Sequence, residues 1–139
     1  MISPFVTAAG NRNESPMIRE AFPLLKSTFN KLGISLKGCV LSLDGVYDCR
    51  ENRKMIFNHK MKPNINPNKR NSKKTKKGRP PLFSEAIFKE RFQTIERVFA
   101  WEDKFKRLLM RFERYSQNHY GLKTIAYTMI NLRHFVSRP

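Results

Sequence analysis

Acidic residues are scarce in this sequence. Its 139 residues hold 11 Asp and Glu against 28 Lys and Arg, a formal net charge of +17. Such a surface repels cationic partners and points to a polyanion, most simply nucleic acid. Cysteine is scarce too. Cys39 and Cys49 make neither a disulfide framework nor a zinc pattern, so a reducing cytosol is the expected compartment. No uninterrupted apolar run approaches the ~20 residues of a membrane span, and no membrane partner is expected. Residues Met1 to Thr7 lack a charged leader region and a long apolar stretch, which argues against secretion. The histidines His59, His119 and His134 are scattered without metal or triad spacing, and are expected to be structural or exposed. What the chain does have is apolar material: 40% hydrophobic residues, eleven Phe among them, too much for wholesale disorder. A chain of this length fits one domain and can bury roughly 70% of its unfolded surface, so a two-domain enzyme is not expected.

The charge is uneven. From Lys60 to Pro80 there are nine Lys and Arg and no acid, together with Asn64, Asn66, Asn68, Asn71, Pro63, Pro67 and Pro80. Between Pro67 and Pro80 no large apolar side chain occurs, so 67–82 reads as a flexible basic linker between an α/β portion, 1–66, and a helical portion, 83–139. In the first portion, residues 2–7 could form a short strand interrupted by Pro4. Ile18, Phe22, Leu25, Phe29 and Leu32 recur at 4-3-4-3 spacing, which predicts an amphipathic helix. Ser15-Pro16 would open it, Pro23 would kink or divide it, and Gly33 would stop it. The run Cys39-Val40-Leu41-Ser42-Leu43 predicts a strand buried on both faces and ending at Asp44-Gly45. Asp48 with Glu51 resembles a capping box for a helix over about 49–58, and 61–66 could add a strand.

The second portion reads as helical. Phe88, Phe92, Ile95 and Phe99 form one stripe, and Trp101, Phe105, Leu108, Phe112 and Tyr115 a second, offset by well over 100°. A bend near 100–103, or cover on two sides, follows. A last helix is expected from about Leu122 to Val136, with Leu122, Ile125, Met129, Leu132 and Val136 inward. The fold class is α/β with few strands, dominated by helices, and two or three short strands make an incomplete sheet.

Two carboxylates stand out. Asp44 follows a strand, where open α/β sheets bind ligands, and could hold a metal ion; equally, it could only start the Asp-Gly turn. Glu96 lies on the wheel ~40° from Phe92 and ~60° from Phe99, at the margin of an apolar face. Beside it Lys89, Arg97, Lys104, Arg107, Arg111 and Arg114 fall within a sector of roughly 100°. It could bind a metal next to a phosphate backbone, or be a surface glutamate paired with Arg97 at little energetic consequence. The run with Lys73, Lys74, Lys76, Lys77 and Arg79 could neutralise phosphates, or simply solvate a linker. Gly78-Arg79-Pro80 resembles the core of an AT-hook but is too short to be specific.

The segment Phe92-Gln93-Thr94-Ile95-Glu96-Arg97-Val98-Phe99-Ala100-Trp101, with Phe105-Lys106-Arg107-Leu108 and Arg111-Phe112-Glu113, resembles the C-terminal signature of bacterial insertion-sequence transposases of the DDE type. Leu43-Asp44-Gly45-Val46-Tyr47-Asp48 resembles the family's motif around its second catalytic aspartate, and Ala8-Ala9-Gly10-Asn11 through Pro16 the segment before that strand. Gly78-Arg79-Pro80 also recurs at that position in the family. The similarity spans essentially the whole chain. It implies a ribonuclease H-like fold, here partial, and two Mg²⁺ ions that activate the attacking oxygen and stabilise the leaving one. The catalytic and metal-binding residues it implies are Asp44 and Glu96. The family's aromatic and Arg before the Glu, and Lys after it, have Phe88, Arg91 and Lys104 as counterparts, each displaced by one position. Arg91, Arg97, Lys104, Arg107 and Arg111 would then contact DNA phosphates.

The family's first catalytic Asp has no counterpart: only Glu14 and Glu20 precede Asp44 among the acids. The expectation is therefore the C-terminal part of a catalytic domain, a remnant or a frameshift half. The resemblance implies a Mg-dependent enzyme of DNA cleavage and strand transfer acting on element ends and target DNA at the nucleoid, inactive in this chain alone. Self-association or complementation by an upstream half would accompany it. The alternative is a noncatalytic basic DNA-binding module or an inhibitor of a full-length transposase.

Overall fold

The first helix opens at an asparagine rather than at the expected Ser15-Pro16. In the computed structural model, which describes residues 2, 6–8, 11–68 and 80–136, Asn13 caps helix α1, Glu14–Lys31. The Asn13 Oδ1 accepts from the Ser15 backbone N–H at 3.0 Å, and Ser15-Pro16 fall inside the first turn. Pro23 does not divide the helix. Its ring is exposed, and burial of the preceding Phe22 supplies the tertiary packing that holds helices together. The stop falls at Gly33 as the sequence predicts. Gly33 takes φ +68°, its N–H bonds to the Asn30 carbonyl, and the Ile34 N–H reaches back to Phe29 at 2.9 Å. That paired 6→1 and 5→2 arrangement needs a left-handed residue, which glycine adopts at no steric cost.

Strand β1, Val40–Leu43, lies beside β2, Lys62–Ile65, in a two-stranded parallel sheet. The register pairs Val40 with Lys62 and Leu43 with Ile65. Parallel neighbours require a crossover. Here it consists of a 3₁₀ turn, Gly45–Tyr47, and helix α2, Arg50–Asn58. β1 is not buried on both faces as its apolar run suggests: Val40 is exposed and the other three residues are half-buried. A two-stranded sheet supplies too little cover for that. The capping box is also displaced. Cys49, not Asp48, caps α2, its Sγ accepting from the Asn52 N–H at 3.5 Å. Asp48 is drawn away because Arg53 Nε donates to its Oδ1 at 2.8 Å and the Asn68 N–H to its Oδ2 at 2.9 Å.

The core of this unit is Phe22, Ile56, Met61 and Ile65, with Leu25, Leu36, Leu41, Leu43, Tyr47 and Met55 packed around it. Two asparagines are buried with it. Asn64 accepts from the Ser84 N–H at 2.7 Å and donates to the Ser84 carbonyl and the Ser42 hydroxyl. Asn52 donates to the Ser15 carbonyl and hydroxyl and to the Tyr47 carbonyl.

Chain contacts divide the protein into two units, Phe5–Arg91 and Phe92–Pro139 with Met1–Pro4, and the division falls inside helix α3, Glu85–Glu102. The second unit continues with α4, Lys106–Met110, and α5, Ser116–Val136. The bend expected near 100–103 is a real end: α3 stops at Glu102 and a turn follows. The second stripe does not survive it. Arg111 at φ 41° terminates α4 after five residues, so Phe112 and Tyr115 are exposed rather than aligned with Leu108. α5 starts at Ser116, six residues before the expected Leu122, and its inward residues are Ala126 and Ile130. Ile125, Met129, Leu132 and Val136 are exposed, so the inward stripe is displaced by one residue, about 100° around the helix.

A polar clip accounts for that rotation. Tyr127 donates its hydroxyl to Glu102 at 2.6 Å, and Lys123 meets the same carboxylate at 2.9 Å. Residues 123, 126, 127 and 130 share one face. The expected N-terminal strand is absent at Ile2 and at 6–8, and residues 3–5 lie outside the described set. The Ile2 backbone is bonded at both its N–H and C=O by the Asn131 side-chain amide. Most of the expected linker, 69–79, also lies outside the described residues. Among the described residues no helix is long and apolar enough to cross a membrane.

Candidate functional site

Asp44 stands at the carboxyl end of β1, exposed. Its Oδ1 accepts from the Gly45 N–H at 2.6 Å, and its carbonyl from the Tyr47 N–H at 3.0 Å, so it caps the 3₁₀ turn. Gly45 sits in close quarters: a Cβ there would lie a tight 3.3 Å from the Asn66 carbonyl oxygen. In a 3₁₀ turn, positions three apart eclipse, which brings Tyr47 back over Asp44. Burial, the Glu14 charge, the Asp44 charge and a bond to Glu14 push the Tyr47 phenol up, with Arg91 drawing it the other way. A tyrosine held protonated is a hydrogen-bond donor and not a base. Glu14, Asp44 and Arg91 therefore all act on the Tyr47 phenol, an influence that the Asp44 motif announced only in part.

Glu96 lies on the portion of α3 that belongs to the second unit. It is exposed and has no ion-pair partner among the described residues, so the pairing with Arg97 that the sequence allowed does not occur. Among those residues no group of three or more His, Cys, Asp or Glu side chains could hold a metal ion. One oxygen of Asp44 is already committed to its own turn. The described side chains thus do not by themselves supply the donor set that two Mg²⁺ ions need, and no chemical step can be assigned to such ions on this chain.

The basic residues do not form one helical face. Arg91 is half-buried, its guanidinium 4.8 Å from the Phe88 ring centroid, with Nε buried and without a hydrogen-bond partner. Arg97 is exposed on α3, and Lys104 is exposed in the turn after it. Arg107, on α4, donates to Glu113 at 2.6 Å, and Arg111, in the left-handed turn, donates to Ser116 at 3.2 Å. The row expected from the wheel is broken by the ends of α3 and α4, which the wheel does not include. Lys73, Lys74, Lys76, Lys77 and Arg79 lie outside the described residues.

The sequence places Trp101 in an apolar stripe and expects His134 to be structural or exposed. His134 is exposed, and the two rings pair, with centroids 4.5 Å apart at 50°. No local motif signals this pair, since 33 positions and a helix break separate the two residues. No protein-family model, no curated protein and no solved structure matches this chain.

Proposed function

We propose that the chain is the C-terminal part of a DDE-type DNA transposase, with a partial ribonuclease H-like fold, acting in DNA cleavage and strand transfer at the nucleoid. The observation that carries this reading is the position of Asp44: an exposed carboxylate directly after a strand of a parallel pair, where α/β sheets place their ligand-binding residues. The net charge of +17 and the exposed Arg97 and Lys104 support a DNA partner. Asp44 and Glu96 are two of the three carboxylates the reading calls for, so the chain alone is inactive and needs a segment bearing the first aspartate.

The bond from Gly45 to Asp44 favours a second reading, because an Asp-Gly turn needs that carboxylate for structure alone. The chain would then be a noncatalytic basic DNA-binding module or an inhibitor of a complete transposase. Joining assays on element-end DNA with Mg²⁺ separate the two. The chain alone should give no donor-joint product. With an Asp-bearing upstream segment added, product should appear and fall to background in Asp44→Ala and in Glu96→Ala. Undiminished product from both variants would leave the second reading standing. Product from the chain alone, lost on Asp44→Ala, would overturn its incompleteness.

A further inference from the structure

A base-stacking site needs an aromatic face open to solvent, cations for the strand that delivers the base, and no carboxylate to repel it. The second unit brings these together around Trp101 and His134. A cavity of about 690 Å³ and another of about 500 Å³ share this ring pair in their walls. Both volumes lie within the roughly 300–1,000 Å³ of ligand-binding clefts. Arg97 and Phe135 line the larger, and Lys104, Phe105 and Arg133 the smaller. Among the described residues neither is lined by an Asp or Glu. Among the described residues Arg97, Lys104 and Arg133 have no carboxylate within 4.0 Å, and Glu102 is committed to Lys123 and Tyr127. Phe135 is 81% exposed, an aromatic face open to solvent.

We propose that this groove binds single-stranded nucleic acid, with bases against Trp101, His134 and Phe135 and phosphates on Arg97, Lys104 and Arg133. A duplex keeps its base faces covered by its own stacking, so an open ring pair has a partner only in an unpaired base. Charge decides against the other occupants. A second copy would bring +17 to a rim that is already cationic, and an apolar protein face would leave three cations uncompensated. The site does not depend on the transposase reading, since it uses neither Asp44 nor Glu96.

Trp101 is the one tryptophan of the chain, so its emission reports on this groove. The full chain is titrated with labelled oligothymidylate in EDTA, following tryptophan emission and oligonucleotide anisotropy together. Saturable quenching should accompany binding. Trp101→Ala should weaken binding about 10- to 100-fold with an unchanged salt slope. Trp101→Phe, which keeps a ring, should stay within a few-fold of wild type. Replacing Arg97, Lys104 and Arg133 together by Gln should flatten the log–log salt slope by about 2. His134→Ala, at an exposed position, should weaken binding several-fold and serves if Trp101→Ala fails to fold.

The proposal is overturned if the oligonucleotide binds the wild-type chain without quenching, or if both alanine variants keep wild-type affinity by anisotropy. It is equally overturned if a duplex of the same length quenches as well, or if protein concentration alone produces the emission change, which would identify a second copy as the occupant. The probe carries no element-end sequence and the buffer no metal, so failure here leaves the joining assay intact, and the reverse.

Discussion

The unit of residues 5–91 closes around its apolar side chains, whereas that of residues 92–139 leaves most of its own exposed. In the first, Phe22, Ile56, Met61 and Ile65 form one cluster at 0–4% exposure. In the second, Leu108, Ala126 and Ile130 are buried, while Phe92, Phe99, Ile125, Met129, Leu132 and Phe135 all exceed 50% exposure. What holds the second together is polar: the clip of Glu102 with Tyr127 and Lys123, and the Asn131 amide on the Ile2 backbone. The contrast teaches that the two units are held differently: the βαβ unit by an apolar cluster, and the helices by polar bonds around a few buried apolar side chains.

The sharpest way to break this contrast is to empty both sides. Ile65→Ala removes a fully buried side chain and should cost about 2–5 kcal/mol by urea denaturation, whereas Ile125→Ala should stay within about 0.5 kcal/mol. Equal costs would mean that Ile125 faces inward after all, against the face that carries Ala126 and Ile130. A smaller effect is expected at Asn64. Asn64→Ala strips both partners from the Ser84 backbone in a buried setting, and about 1–3 kcal/mol should be lost, measured the same way.

The smallest effect concerns the polar clip and is sharpened by pH. Burial acts to raise the Glu102 carboxyl, but the bonds from Tyr127 and Lys123 outweigh it and hold the group below its ordinary 4.5. A depressed carboxyl stabilises the fold above its unfolded value and loses that contribution as pH falls through the folded one. Tyr127 is raised, by burial first and then by the Glu102 bond and charge. Its contribution is complete below its ordinary 10.0 and is lost as pH climbs toward the folded value. Thermal midpoints should therefore sag below about pH 4.5 and above about pH 10. Tyr127→Phe should cost about 1 kcal/mol at neutral pH and reduce the alkaline decline, leaving the part that Tyr47 contributes.

Much of this organisation was legible in the sequence. β1 and β2, α2 and the end of α3 follow from short apolar runs and from the change of stripe at Trp101. Gly33 marked the end of α1 because only a left-handed residue completes that cap. The face of α5 was not legible, because apolar residues occur on several sides of that helix. The bonds to Glu102, and not the amount of apolar surface, select its inward stripe. The cap of α2 was misread because Asp48 had a distant competitor in Arg53. For the carboxylates, the residue types and the strand-end position of Asp44 were legible. The local turn that engages Asp44 was legible as one of its two readings, whereas the Trp101–His134 pair depends on tertiary placement that no local spacing encodes.

The bond pair between Asn64 and Ser84 has a further consequence. The chain leaves the sheet just after Asn64 and is back at the same side chain by Ser84, so the stretch between begins and ends at one anchored point. Ser84 immediately precedes α3, so the same side chain that sits in β2 also fixes where that helix begins, and Asn64→Ala would release the start of α3 from the strand as well as lower stability.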